Sequence, residues 1–233
     1  MRGYQCGMVW GATLAAGAQA YRLYGTGPKA ETRAIVASQR IVTSFRAQNG
    51  SIDCSEVTGV EMSSPSARAI VRYLIKSGPT GSCFSMSARY AKATFSEIDA
   101  ALADGACFAN DTKVPTTSAS CSAMLAQKMG ASDLRAAMAA GFAGGIGLNG
   151  SACGALGAAV WIVGMNILED GGTLGLRVPD IEETIARFAE CTGNEFECSR
   201  IVGRKFESPG DHALYVRDGG CADIIEVLST QRS

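Results

Sequence analysis

A chain of 233 residues that is 47% hydrophobic has ample apolar material for one large core or two small ones, which excludes a fully disordered protein. A formal net charge of -1 removes the electrostatic case for nucleic acid or an anionic membrane as partner. One histidine, His212, excludes His-rich metal sites, and nine cysteines, an odd count spread along the chain with no secretory-leader layout, read as reduced thiols in a cytoplasmic protein rather than a disulfide scaffold.

Glycine and alanine are both in excess, which predicts helices and close backbone approaches. Cys6-Gly7 opens an Ala-rich, apolar segment through Gly17. An amphipathic helix over Glu31 to Arg46 follows behind Pro28, with Ile35, Ile41, Val42 and Phe45 at helical spacing. Then come Asp53-Cys54-Ser55-Glu56-Val57-Thr58-Gly59 and, later, Cys83. The turn-rich stretch 105–117 reads as a linker between a first repeat, 1–104, and a second, 118–233. Cys121 opens a short helix to Lys128, and Ser132-Asp133 caps another that ends near Ala143. From Ala136 to Leu168 there is no charge, but Gly144 to Ser151 splits this run into two pieces. Each is too short to cross a bilayer, so two buried helices and no membrane span are expected.

The later elements repeat the earlier ones. Cys153-Gly154 opens an Ala-rich helix, Asp180 to Glu190 forms an amphipathic helix behind Pro179 with Ile181, Ile185 and Phe188, and Glu197-Cys198-Ser199-Arg200-Ile201-Val202-Gly203 matches the block at 53–59. Cys221 follows as Cys83 does. Nothing before Cys6 corresponds to Cys121. No segment alternates with period two. The expectation is an all-α fold of two related small helical bundles packed together, in which the Cys6 and Cys153 helices are equivalent.

Gly145, Gly147 and Gly150 spell a GxGxxG and are the candidate cofactor-binding glycines. Nucleotide binding by that motif needs a preceding strand, whereas the run before it is helical, so the competing reading is a tight turn with glycines at positive φ. Cys153 and Cys198 are the candidate catalytic thiols. Cys153 in particular, at a helix start, is expected to have a lowered pKa. The absence of CxxC argues against thioredoxin chemistry, zinc knuckles and c-type haem. Any joint action of the cysteines therefore requires the fold to gather them. Three or four thiolates without histidine suit an iron–sulfur cluster or another soft metal, and they equally suit a disulfide pair. Cys107 and Cys191 have no counterparts and read as core fillers. His212, in Ser208 to His212, reads as a solvated turn residue. Trp10 and Trp161 read as core.

The order Cys121, Gly141-Phe142-Ala143-Gly144-Gly145-Ile146-Gly147, Cys153-Gly154-Ala155, Cys198 and Cys221 resembles the family of redox-active proteins named for its C-GCAxxG-C-C cysteine pattern. The resemblance covers about residues 118 to 228, and the first half resembles a copy lacking its first helix, with Cys6, Cys54 and Cys83 in the later three places. One departure is a glycine placed at 158 by the resemblance, where the chain has Gly157-Ala158. The resemblance implies a small helical protein that is redox-active or metal-binding and associated with oxidoreductase or transport systems. The leading expectation is that Cys121, Cys153, Cys198 and Cys221 converge to hold an iron–sulfur cluster or another soft metal, in a chain able to form a homo-oligomer. A metal-free thiol–disulfide protein, with Cys153 attacking, and a non-catalytic helical binding module are the alternatives.

Overall fold

The computed structural model describes residues 5–58, 82–103, 120–175 and 177–230. The 105–117 linker and Cys107 lie outside the described residues. The rest is all-α, with no strand among the described residues. The first half contributes α1 (Gly7–Tyr24), α2 (Pro28–Asn49), α3 (Cys54–Thr58) and α4 (Ser82–Leu102). The second contributes α5 (Cys121–Lys128), α6 (Asp133–Ala139), α7 (Gly154–Glu169), α8 (Pro179–Cys191), α9 (Cys198–Val202), α10 (Pro209–Arg217) and α11 (Ala222–Ser229), with a 3-10 turn, Ala140–Phe142, continuing α6. The two expected amphipathic helices appear as α2 and α8, both with proline in the first turn. The uncharged run breaks at the glycines as expected, and no described helix is long and apolar enough to cross a membrane.

Each half contributes a main core, and the cores overlap: Ala123, Ala140 and Ile146 pack into the first, and Ile35 packs with Cys198 and Phe206. In the first, α1 packs on α2 and α2 on α4, burying Val9, Ala34, Ile41 and Phe45. In the second, α7 lies on α5 and α8, and α11 closes over α5, α7 and α8, burying Leu125, Ile162, Phe188 and Leu228. The α5–α6 hairpin stands between them, with α5 against α7 and α6 against α1. Small residues make these approaches possible. A Cβ on Gly17 would lie 2.3 Å from the Ala137 carbonyl oxygen of α6. Trp10 meets Phe142 edge-on with ring centroids 4.6 Å apart. Its ring lies over Gly157, where a Cβ would come within 2.2 Å. The close contact expected one residue later therefore falls at Gly157, while Gly11, the first-half glycine at the corresponding spacing, faces open space.

The turn after Phe142 is left-handed over five consecutive residues. Gly144, Gly145 and Gly147 have positive φ, as do Ile146 (φ 61) and Leu148 (φ 59). A β-branched residue in this region is an outlier, and each side chain held there costs about 1–2 kcal/mol. Ile146 and Leu148 are both buried, so core burial offsets that cost. Two backbone bonds of the turn span six residues. Gly147 N–H donates to the Gly141 carbonyl at 2.8 Å and Gly150 N–H to the Gly144 carbonyl at 2.9 Å.

Candidate functional site

Each half brings two cysteines together by the same backbone device. In the second half, Ala152 and Glu197 form an isolated antiparallel bridge. The next residue on each side of that bridge is a cysteine, and each cysteine starts or caps a helix. Cys153 caps α7, and Cys198 begins α9. Cys153 N–H donates to the Phe196 carbonyl at 2.8 Å, and Cys198 N–H to the Ser151 carbonyl at 2.7 Å. In the first half Gln5 bridges Asp53, Cys6 caps α1 and Cys54 begins α3, with Cys6 N–H donating to the Ile52 carbonyl at 2.8 Å.

The left-handed turn holds the second-half pair in place. The Gly150 carbonyl accepts from both the backbone N–H and the hydroxyl of Ser199, at 3.0 and 2.8 Å. Gly154 packs so closely that a Cβ there would lie 1.9 Å from the Phe142 carbonyl oxygen. The three candidate cofactor-binding glycines each face protein. A Cβ on Gly145 would lie 2.6 Å from Ser151 N, one on Gly147 2.4 Å from Gln39 N, and one on Gly150 2.9 Å from the Lys205 Cγ. They follow a 3-10 turn rather than a strand, and each is packed too closely to carry a side chain.

Cys121 enters from α5. Ser120 caps that helix, accepting from Ala123 N–H at 3.1 Å and donating to the Ala140 carbonyl at 2.9 Å, while its own N–H donates to the buried Glu31 carboxylate. Cys221 enters as the residue before α11, after a turn in which Tyr215 donates to the Gly220 carbonyl. Cys121, Cys153, Cys198 and Cys221 are all thiols without disulfides, and each lies near enough to influence at least one of the others. Cys121, Cys153 and Cys221 sit among Leu125, Phe142 and Ile225, and Cys198 sits beside Phe206.

Their electrostatics differ from the expectation. Burial pushes the Cys153 thiol up to about 11, outweighing the hydrogen bonds from the Ala155 and Leu156 N–H groups at the start of α7. The expected lowered pKa at Cys153 is thus not met: the helix start favours thiolate, but desolvation is the larger effect. Burial likewise pushes Cys198 up to about 12, helped by Cys153 and Cys221 nearby. The lowered thiol is Cys221, because Cys121 donates a hydrogen bond to it. Cys121, as that donor and fully buried, is held well above the ordinary range. Sequence spacing carried no sign of this pairing, since Cys121 and Cys221 are a hundred positions apart in number and meet only through α5 and α11 packing.

In the first half Cys6, Cys54 and Cys83 lie close enough to influence one another, and burial raises both Cys6 and Cys54. Among the described residues, no group of three or more His, Cys, Asp and Glu is arranged to hold a metal ion. Cys191 is exposed at the end of α8 rather than filling a core. His212 is not a solvated turn residue. It lies inside α10, fully buried, with Phe206 edge-on at 4.7 Å. Ser208-Pro209 starts the helix instead of marking a loop: Ser208 accepts from Asp211 N–H and Pro209 takes the first helical position.

No curated protein and no solved structure matches the chain. Residues 116–230, which contain all four cysteines of the second-half site, match the model of the family described as Putative redox-active protein (C_GCAxxG_C_C), and it is to this family that the second half of the chain is similar.

Proposed function

We propose that the second half of this protein is a thiol–disulfide redox module in which Cys221 attacks and Cys121 resolves. The observation that carries this reading is the Cys121–Cys221 pair, in which one buried thiol donates to the other and lowers its pKa. Cys221 is also the most exposed of the four cysteines, at 9% against 4% for Cys121. The Cys221 thiolate attacks one sulfur of an incoming disulfide. That disulfide bond breaks, and one half leaves with the electron pair as a thiolate. Cys121 gives its proton to the departing sulfur and attacks the Cys221 Sγ, releasing the second half as a thiolate that takes up from water the proton Cys221 lost on ionising. Two protein thiols become one disulfide, and one incoming disulfide becomes two thiols. Cys153 and Cys198, with their raised pKa values, stay protonated near neutral pH. The incoming disulfide belongs to a small molecule or to an oxidoreductase or transport partner of the kind the family resemblance implies.

A second reading, an iron–sulfur cluster or another soft metal on Cys121, Cys153, Cys198 and Cys221, is supported by the donor set alone. The thiols as arranged do not fit it, so it requires them to draw together. The matched bridge and helix starts of the two halves further support common ancestry.

The test is anaerobic purification, metal and sulfide analysis, then titration with oxidised glutathione and mapping of the disulfides formed. The expected result is a Cys121–Cys221 disulfide that Cys221→Ser abolishes and Cys6→Ser leaves intact. Stoichiometric iron and sulfide lost on Cys153→Ser, with no Cys121–Cys221 disulfide, would overturn the thiol reading in favour of the metal.

A further inference from the structure

The two bridges, one from each half, lie side by side and wall a partly open cleft of about 290 Å³. Its chemistry is polar and of mixed sign. The acids that precede Cys54 and Cys198 both line it, Asp53 from the first half and Glu197 from the second. So do two cations, Arg46 at the end of α2 and Lys205 just after α9. Arg46 reaches across the halves to donate to the Asn149 Oδ1 at 3.2 Å.

Within the protein these charges are only partly compensated. Neither Arg46 nor Lys205 forms an ion pair among the described residues, nor does Asp53, while Glu197 pairs with Arg200 at 3.0 Å. Asp53 and Glu197 are near enough to repel: burial first, then Glu56 and Glu197, push the Asp53 carboxyl above the usual carboxylate range, against a smaller opposing pull from Arg46 across the cleft. The Gln5 Oε1 completes the acceptor side, since it is buried and has no hydrogen-bond partner. A buried acceptor without a donor costs free energy that a bound N–H group would recover.

We propose that this cleft binds a small zwitterion of amino-acid size, with its ammonium group among Asp53, Glu197 and the Gln5 Oε1 and its carboxylate at Arg46 and Lys205. A lone cation would satisfy the acceptors but leave both basic side chains facing the cleft. A lone anion would do the reverse, and a larger ligand exceeds the volume, which sits at the low end for small-molecule pockets. The site requires both halves, because each supplies one acid and one cation.

Isothermal titration calorimetry on the full reduced chain tests this with three probes: L-glutamine, glutarate and n-butylamine. Saturable binding of L-glutamine is expected, with glutarate and n-butylamine each at least roughly tenfold weaker, as the loss of one charge-assisted contact set implies. Arg46→Gln and Asp53→Asn should each weaken L-glutamine roughly tenfold. Lys205→Gln, at an exposed side chain with no ion pair among the described residues, should weaken it too with little change in thermal unfolding, since glutamine keeps most of the stem that lies beside Gly150. No binding of L-glutamine at millimolar concentration would overturn the proposal. So would glutarate or n-butylamine binding as tightly as L-glutamine, or an affinity unchanged in all three variants.

Discussion

Replacing Gly147 with alanine is the sharpest probe of the left-handed turn. Gly147 has φ 57, so an L side chain there carries a backbone cost of about 1–2 kcal/mol. Its Cβ would also lie 2.4 Å from Gln39 N and 2.6 Å from Ser38 C. Both are backbone atoms of α2, which cannot rotate away as a side chain would. Overpacking of this kind adds about 1–3 kcal/mol. The expected total is about 2–5 kcal/mol, a loss of roughly 4–20 °C in Tm for a chain of this size. The internal control is Gly203→Ala. Gly203 also has positive φ (82) but has nothing within 4 Å, so only the backbone cost applies. Urea unfolding followed by far-UV circular dichroism measures both. If Gly147→Ala costs no more than Gly203→Ala, the turn is not braced against α2 and the steric reasoning fails.

The Cys121–Cys221 pairing predicts that Cys221 is alkylated by iodoacetamide at lower pH than Cys153 or Cys198, and that Cys121→Ala shifts its rate profile to higher pH. Residue-resolved mass spectrometry would detect both, and an unshifted profile would break the pairing. Cys153 and Cys198 are held at about 11 and about 12 against an ordinary value of 9.0. Their burial therefore contributes stability that is complete below pH 9 and is lost as pH rises from there through 11 and 12, because the unfolded thiols ionise first. Urea midpoints measured from pH 8 to 10.5 should fall, and less steeply in Cys198→Ala. Gly157→Ala should push the Trp10 ring off α7, costing about 1–3 kcal/mol and altering tryptophan emission. Unchanged emission and stability would show that the ring has room to yield.

Periodicity and composition were enough to find α2 and α8, the break in the uncharged run and the absence of strands, because each depends on a local pattern. The likeness of Cys6 to Cys153 and of Cys54 to Cys198 is written in residue order, and locally each of these cysteines follows a bridge residue and stands at a helix start. What depends on distant packing was not legible. A helix start at Cys153 suggests a stabilised thiolate, yet how much water is excluded there is decided by α5 and α11. Left-handed Ile146 and Leu148 contradict their own propensities and are held there by the core around them. His212 was misplaced because a serine-proline pair can open a helix as readily as it can mark a loop.

The placement of α6 bears on how the two halves change over time. By sequence it belongs with α5 to the second half, yet its face is filled by Gly17 and its neighbours on α1, and the 3-10 turn that extends it reaches Thr13 and Ser38 through Gly141. It is a party wall, owned by one half and built into both. A cut near residue 117 would leave that wall bare on one side, so a boundary visible along the chain crosses no boundary in space. A substitution in α6 is felt in both cores at once, and neither half can drift in sequence without the other.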